Sequence, residues 1–225
     1  GGMVGYGQPD RLKWLGVSEF VRLKKDELNA GLDWYYTPAI HSSGANTKES
    51  AVGVRVLWSD VDDKPTPPLA VLPPSIVVRS GGGWHLYWCL AEWETDSDII
   101  ETANKGLATD TGGDHCWNVN RLLRIPGTNN PKYTPPVECK VFDVGGYVYT
   151  ISELLSVGRI SRATKHKIRT GDRRGYKSRS ERDWSVVREL VAIGLRDETI
   201  AHIFSSHGIG DKTGEHGGAD YLRRS

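Results

Sequence analysis

The sequence predicts an α/β (α+β) domain followed by a basic connector and a small helical module. Apolar, β-branched strand patterns alternate with helical patterns over the first two thirds of the chain. A run of Lys and Arg then leads into two amphipathic helices. The 225 residues are enough for one large domain with an appendage. We therefore expect domains at 1–158 and 183–225, joined by a connector at 159–182.

The first quarter of the chain predicts a helix, a short strand and a loop before the longest β-branched run. Apolar residues at helical spacing favour a helical start within 11–30. The aromatic triplet 34–36 favours a short strand, and the Ser, Gly and Asn of 41–50 favour a flexible loop. Residues 51–59 then favour a strand that leads into an acidic run.

The next elements are a hairpin and a helix. Residues 75–79 and 85–90 are apolar runs on either side of three glycines, a pattern typical of a β-hairpin. Residues 97–107 have helical spacing, with Asp96 or Ser97 as the N-cap.

The pattern from residue 126 to residue 157 predicts a turn, two strands and a short helix. The turn at 126–132 is rich in Pro, Gly and Asn. Strands are expected at 137–142 and 146–150, and a helix at 151–157.

The C-terminal module is expected to contain two amphipathic helices, at 180–193 and 196–206. Gly194 and Gly208 are placed to end them. The apolar positions with helical spacing are Trp184, Val187, Leu190, Val191, Ile200, Ile203 and Phe204.

Charge is distributed unevenly along the chain. The formal net charge is only +1, but residues 159–182 hold ten Lys or Arg and two acidic residues, a net charge of +8. Such a run indicates either contact with a polyanion or a solvated linker. The candidate nucleic-acid-binding residues are Arg169, Arg173, Arg174, Lys177 and Arg179.

The cysteines and the hydropathy of the sequence indicate where in the cell the protein is expected. The three cysteines are widely spaced and lack a C-x-x-C pair, which is typical of reduced cysteines and not of a disulfide framework. The sequence has no signal-peptide pattern and no apolar run near 18 residues. We therefore expect a cytoplasmic protein without a membrane partner.

Two acidic residues at the end of the predicted strand form the first candidate site. Asp60 and Asp62 stand at positions i and i+2, which places their side chains on one face of a strand. Paired carboxylates of this kind suit a hard divalent cation, although they also suit a turn that caps the strand.

A glycine-rich turn with a histidine forms the second candidate site. Ser80 precedes Gly81-Gly82-Gly83, and His85 follows at the start of the next strand. Consecutive glycines cost chain entropy but let backbone N–H groups approach a phosphate closely. A metal site beside a phosphate-binding turn is typical of enzymes that catalyse phosphoryl transfer.

Further charged residues follow in two turns. Asp114 lies in a Thr-Gly-Gly-Asp-His segment. Arg124 and Lys132 flank the rigid Pro126-Gly127 turn, where their cationic groups suit phosphate oxygens.

The order of these motifs resembles the archaeo-eukaryotic primase superfamily, and most closely the replication primases and primase-polymerases of phages and plasmids. The resemblance covers about residues 50–150. The tail, with Arg-Ser-Glu-Arg-Asp-Trp at 179–184 and Tyr221-Leu222, resembles the small helical module that often follows such catalytic domains. The resemblance implies an RRM-like catalytic core at 1–158 and an accessory module at 183–225.

The resemblance also implies a cofactor of Mg²⁺ or Mn²⁺ held by three carboxylates. Asp60 and Asp62 match the two ligands of the first motif, with Asp63 as an alternative to Asp62. The third ligand is Asp114 or Asp143. Asp114 follows a glycine instead of the usual hydrophobic residue, whereas Asp143 follows Phe142, and we favour Asp114 from its Gly-Asp context.

The nucleotide-binding residues implied by the resemblance surround the glycine turn. The second motif of the family is Ser-x-His in its shortest form and is longer here. The residues that match the nucleotide-binding positions are Ser80, Gly82, Gly83, His85, Arg124 and Lys132.

The resulting hypothesis is a DNA-dependent primase-polymerase with a two-metal-ion mechanism. Its partners would be a single-stranded DNA template, NTP or dNTP, and a replicative helicase domain or protein. One alternative is a metal-dependent nuclease or rolling-circle initiator, but the seven histidines lack an H-x-H pair. The other is a non-catalytic origin- or single-strand-binding module.

Overall fold

The structure is a computed structural model with two compact units. It describes residues 3–6, 13–23, 28, 31–42 and 45–210. The first unit comprises 1–68 and 74–148, and the second comprises 69–73 and 149–225. The first unit mixes antiparallel sheets with a long helix and the second is mainly helical, which confirms the α+β prediction.

A small antiparallel sheet in the first unit combines three strands from the first 36 residues with one strand at 123–124. Its order is β2-β1-β3-β8. The strands are β1 (Met3–Tyr6), β2 (Lys13–Gly16), β3 (Trp34–Tyr36) and β8 (Leu123–Arg124). Val4, Trp34 and Ile125 form its buried cluster. The strand predicted at 34–36 is therefore confirmed.

The helical start predicted within 11–30 is wrong for residues 13–16. These residues form β2, which pairs with β1, and the helix α1 (Val17–Phe20) has a single turn. The aromatic ring of Phe20 lies 5.5 Å from that of Trp34. The apolar spacing reflects packing against this sheet, and not one continuous helix.

The central sheet of the first unit has the order β11-β6-β7-β5-β4, with antiparallel neighbours. Its strands are β4 (Ile40–His41), β5 (Ala51–Val61), β6 (Ile76–Arg79), β7 (Trp84–Glu94) and β11 (Lys140–Val144). The strand predicted at 51–59 and the hairpin across the glycines are confirmed. Both β5 and β7 extend beyond the predicted bounds.

Helix α2 (Ser97–Thr111) packs on this sheet, and its start agrees with the sequence. Of the two N-cap candidates, Asp96 fills the role and accepts hydrogen bonds from the N–H groups of Asp98 and Ile99. The helix ends at Gly112, which has a left-handed φ of 71°.

Short strands complete the first unit. They are β9 (Asn129–Asn130), β10 (Val137–Glu138) and β12 (Val148–Tyr149). The strand predicted at 137–142 is divided at Cys139, whose N–H donates to the carbonyl of Thr128 at 2.8 Å. β12 lies where the two units meet along the chain.

The second unit contains four α-helices among the described residues. They are α3 (Ile151–Ser156), α4 (Arg162–Thr170), α5 (Arg179–Ala192) and α6 (Asp197–Ser206). The short helix at 151–157 and the two amphipathic helices are confirmed within one or two residues. The stretch 159–182 is not a plain linker, because it contains α4.

The buried face of α5 differs from the apolar face expected from its sequence. The helix buries Arg182, Asp183, Val186 and Leu190, whereas the Trp184 side chain is 42% exposed. Arg182 pairs with Asp183 at 2.6 Å and donates to the carbonyl oxygens of Gly171 and Ile209. The satisfied guanidinium allows a charged residue to occupy the core.

The stretch 69–73, which joins β5 to β6 along the chain, belongs to the helical unit. Within that unit, Arg169 Nε donates to the Leu69 carbonyl at 2.9 Å and the Tyr149 hydroxyl donates to the Pro73 carbonyl at 2.6 Å. Among the described residues, no helix has the length and apolar character needed to cross a membrane. The Tyr221-Leu222 pair of the predicted tail lies outside the described residues.

Candidate active site

The sheet brings the acidic end of β5 beside the histidine of β7. Asp60 is directly opposite His85 in the antiparallel register, and Val78 of β6 is the next residue across. Three neighbouring strands therefore converge at the point where the sequence places its two main motifs.

The loop after α2 brings Asp114 to the same point. The Asp114 N–H donates to the Asp60 carbonyl oxygen at 2.8 Å. A Cβ atom at Gly113 would lie 2.3 Å from Ser59 Oγ and 2.8 Å from the Asp60 carbonyl oxygen. Glycine at 113 is thus what permits this close approach, which explains why no hydrophobic residue precedes Asp114.

Asp62 and Asp63 lie just beyond the strand. β5 ends at Val61, so Asp62 lies one residue beyond the strand that was expected to carry both carboxylates. Asp63 has a positive φ of 54° and turns the chain away. Burial raises the pKa of Asp62, and the nearby carboxylates of Asp60 and Asp114 raise it further, which places the three in one acidic cluster.

Asp143 lies elsewhere on the sheet. It is exposed on β11, which is separated from β5 by β6 and β7. Three strand spacings correspond to roughly 14 Å. The structure therefore brings Asp114, and not Asp143, to Asp60.

The Asp60 carboxylate is mostly buried and only partly neutralised. Its Oδ2 lies 3.3 Å from Arg121 Nη2, and its Oδ1 lies 3.6 Å from His85 Nε2. Burial raises the pKa of Asp60 despite the Arg121 guanidinium, and Asp114 contributes in the same direction. Sequence reasoning did not assign a role to Arg121, because Arg121 does not flank the Pro126-Gly127 turn that singled out Arg124.

His85 is a buried, neutral imidazole. Burial lowers its pKa to about 3, and the guanidinium groups of Arg124 and Arg121 lower it as well. Its Nδ1 lies 3.2 Å from the Tyr87 hydroxyl. A neutral ring can donate one hydrogen bond from one nitrogen and accept at the other.

The glycine turn is closed and covered. Ser80 N–H donates to the Gly83 carbonyl at 3.0 Å, and Asn130 Nδ2 donates to the Ser80 carbonyl at 3.2 Å. A Cβ at Gly82 would collide with the Tyr133 hydroxyl, and one at Gly83 would collide with the Val61 carbonyl oxygen. Asn130 and Tyr133 are contacts that the motif pattern did not reveal.

Arg124 and Lys132 have different surroundings. The Arg124 guanidinium pairs with Asp33 at 2.5 Å and lies over the Tyr35 ring at 5.0 Å. Lys132 is exposed, and its ammonium group lowers the pKa of Asp62 against the larger opposing effects. Lys132 is thus the more available cation beside the acidic cluster.

The predicted nucleic-acid-binding residues all lie in the helical unit. Arg169 is bound to the Leu69 carbonyl, and Arg174 pairs with Asp172 at 2.8 Å. Arg173, Lys177 and Arg179 have exposed side chains.

The donor set fits a hard cation. Asp60, Asp62 and Asp114 offer carboxylate oxygens, the ligands that Mg²⁺ and Mn²⁺ prefer. As the described residues stand, no group of three or more His, Cys, Asp or Glu side chains is arranged to hold a metal ion. The Asp60 carboxylate instead pairs with the Arg121 guanidinium. This is expected without a cation, because neighbouring carboxylates repel one another.

The fold is similar to that of solved primase and primase-polymerase structures. The primase-polymerase AEP domain of cyanophage S-2L matches 69% of this chain and 88% of its own, with 19% identity and a TM-score of 0.55. The primase RepB′ matches 99% of this chain and 86% of its own, with 16% identity and a TM-score of 0.50. The catalytic domain of RepB′, in complex with initiator DNA, matches 70% of this chain and 85% of its own, with 16% identity and a TM-score of 0.50. Neither a protein-family model nor a curated protein matches the sequence.

Proposed function

We propose that this protein is a template-dependent nucleotidyltransferase, a primase-polymerase that makes or extends primers on single-stranded DNA in phage or plasmid replication. The observation that carries the proposal is the junction of Asp60 and Asp114, which unites carboxylates from two separate motifs on a primase-type fold. A structural turn would not require Gly113 to bring a second acidic residue against the first.

Asp60, Asp62 and Asp114 would hold Mg²⁺ or Mn²⁺. When bound, two such ions lower the pKa of an attacking 3′-hydroxyl and stabilise a pyrophosphate leaving group. The pKa values of Asp60 and Asp62 are raised by burial and by neighbouring carboxylates, although Arg121 and Lys132 act in the opposite direction. The cationic side chains therefore do not fully neutralise the negative charge of these carboxylates.

The groups around the glycine turn would bind the triphosphate. Lys132 contributes a positive charge beside Asp62, and the neutral His85 can donate one hydrogen bond. Arg124 is held in place by its ion pair with Asp33, and its positive charge would attract the triphosphate.

The helical unit would bind the DNA template. Arg173, Lys177 and Arg179 supply exposed positive charge, which binds phosphates by releasing counterions. We expect this unit to matter most when two free nucleotides must be aligned on a template, the step with the largest entropic demand.

The test is a nucleotide-incorporation assay on a single-stranded template. It compares de novo primer synthesis with extension of a supplied primer, each with Mg²⁺, with Mn²⁺ or with a chelator. The matched pair of variants is Asp114→Ala and Asp143→Ala. The proposal requires metal-dependent incorporation that Asp114→Ala abolishes and Asp143→Ala retains.

Each rival predicts a different result in the same assay. Strand cleavage with metal but no incorporation would indicate a nuclease or initiator. Template binding without chemistry, unchanged by Asp60→Ala, would indicate a non-catalytic module. Either result would overturn the proposal.

A further inference from the structure

The outer edge of β5 beside Asp60 is closed by a side chain and a loop, and not by another strand. Among the described residues, β4 pairs with β5 only at Ala51 and Gly53. Trp58 and Asp60 are two residues apart, so their backbone groups face the same edge. The Trp58 N–H donates to Asn104 Oδ1 at 2.9 Å, and the Asp60 carbonyl accepts from Asp114 N–H at 2.8 Å.

Asn104 also holds the loop that carries Asp114. Its Nδ2 donates to the Trp117 carbonyl at 3.2 Å. The Trp58 indole N–H donates to the Cys116 carbonyl at 2.9 Å, which adds a second tie between β5 and the loop. Asn104 therefore connects a residue just before Asp60 with a residue just after Asp114.

A second polar tie from α2 lies beside Asn104. Thr111 Oγ1 lies 2.8 Å from Ser59 Oγ and donates to the Leu107 carbonyl at 2.9 Å. Because a threonine hydroxyl has one hydrogen, Ser59 is the donor of the shared bond. Ser59 is also the side chain against which Gly113 packs.

An amide at position 104 is unexpected for packing alone. Asn104 is 0% exposed in the middle of a helix whose other buried residues are mostly Ala, Leu and Ile. Asparagine is a poor helix former, and a buried amide has a desolvation cost that a leucine avoids. The hydrogen bonds to Trp58 and Trp117 offset this cost and explain why an asparagine occupies the position.

We infer that Asn104, supported by Thr111, is a positioning residue that sets the separation between Asp60 and Asp114 and thereby the affinity for the divalent cation. The inference rests on the proposed function, because it assigns these carboxylates to a cation. Groups that orient metal ligands typically change metal affinity by about 10–100-fold when removed.

The test is a Mn²⁺ titration of the full chain followed by electron paramagnetic resonance, which measures binding without catalysis. Asn104→Leu keeps a branched side chain and removes both hydrogen bonds. We expect Mn²⁺ binding to weaken about tenfold or more. At saturating Mn²⁺, the KM for nucleotide should stay near the wild-type value.

Ser75→Ala is the matched control. Ser75 Oγ accepts from the Cys89 N–H at 2.8 Å and donates to the Tyr147 carbonyl at 2.6 Å, so it too joins a strand to a loop. The residue of β7 that Ser75 contacts, Cys89, is four positions from His85, so the tie lies away from the acidic cluster. We expect this variant to lose a similar amount of thermal stability and to keep wild-type Mn²⁺ affinity.

Thr111 keeps the inference testable if Asn104→Leu does not fold. Thr111→Val should weaken Mn²⁺ binding by a smaller factor than Asn104→Leu, because it removes only one of the hydrogen bonds that join α2 to β5. Thr111→Ser should restore the binding. Wild-type Mn²⁺ affinity in folded Asn104→Leu or in Thr111→Val would overturn the inference, as would an equal loss in Ser75→Ala. If the wild-type chain itself binds no Mn²⁺, or if Asp60→Ala leaves binding intact, the proposed function fails instead.

Discussion

Two carboxylates, the mostly buried Asp60 of the first unit and the fully buried Glu153 of the second, have opposite environments. Burial raises the pKa of Asp60, and Arg121 offsets only part of the effect. Burial also raises the pKa of Glu153, but hydrogen bonds from Arg196, Thr199 and the backbone outweigh it and bring the pKa to about 2. Glu153 is thus fully satisfied within the protein, whereas Asp60 is not.

The difference is the one expected between a structural carboxylate, Glu153, and the cation ligand that the proposed function assigns to Asp60. Glu153 closes a capping box with Thr150 at the start of α3 and pairs with Arg196 at 2.9 Å, so its charge stabilises the helical unit. Asp60 lies among other carboxylates, an arrangement that disfavours the isolated charge. A cation that binds there would neutralise the negative charge that the protein's own side chains do not fully balance.

The largest expected effect is on catalysis at Asp60. Asp60→Ala should lower nucleotide incorporation by roughly a thousandfold or more, because the loss of a metal ligand removes several kcal/mol of transition-state stabilisation. Thermal unfolding should show little loss of stability, since the variant removes a charge that burial disfavours. Asp143→Ala is the control, and comparable losses in both variants would contradict the assignment.

The converse effect is expected at Glu153. Glu153→Gln should lower the stability of the helical unit by about 1–3 kcal/mol, because it weakens a buried, charge-assisted network. Urea unfolding followed by circular dichroism measures this change. Glu198→Gln is the control, because Glu198 lies 3.8 Å from Arg196 but is 68% exposed. Equal losses in the two variants would show that burial of Glu153 does not matter.

The same comparison has a pH dependence. The pKa of Glu153 is lower in the folded state than its ordinary value of 4.5. Its stabilising contribution is therefore complete above pH 4.5 and is lost as the pH falls through about 2. The stability difference between wild type and Glu153→Gln should therefore shrink from pH 5 to about pH 2. A difference that is constant over this range would rule out the linkage.

A smaller effect is expected at Lys132 and Arg124, the two cations assigned to the triphosphate. Lys132→Ala should raise the KM for nucleotide about tenfold and leave the melting temperature unchanged, because a hydrogen bond to a charged group contributes about 1.5–3 kcal/mol. Arg124→Ala should also lower the melting temperature, because it removes the partner of Asp33. Steady-state kinetics with thermal unfolding distinguishes the two, and an unstable Lys132→Ala would contradict this reading.

The smallest effect is expected on the surface of the helical unit. Replacement of Arg173, Lys177 and Arg179 by Ala should flatten the salt dependence of single-strand binding by about 0.7 per lost phosphate contact. Arg174→Ala should change the slope less, because Asp172 already pairs with Arg174. Binding measured across a salt series gives both slopes, and an unchanged slope in the triple variant would place the DNA elsewhere.

Local sequence patterns were sufficient for the elements that frame the site. The β-branched run of β5, the glycine-divided hairpin and the Asp96 cap of α2 depend on neighbouring residues, so they could be predicted with only small errors in their bounds. The acidic pair and the glycine turn could be placed near one another for the same reason. Patterns failed at β2 and at α5, where apolar spacing did not reveal which face another element covers.

The sequence by itself determined the fold class, the motif order and a short set of candidate residues, because these depend on residues that are close in the chain. Only the tertiary structure shows that Asp114, and not Asp143, lies beside Asp60, since that proximity depends on a loop that follows α2 and meets the edge of β5. It also revealed Arg121 beside Asp60, the Asp33 partner of Arg124 and the two ties made by Asn104. These contacts join residues far apart in sequence, and their energies depend on burial and distance, which no local pattern encodes.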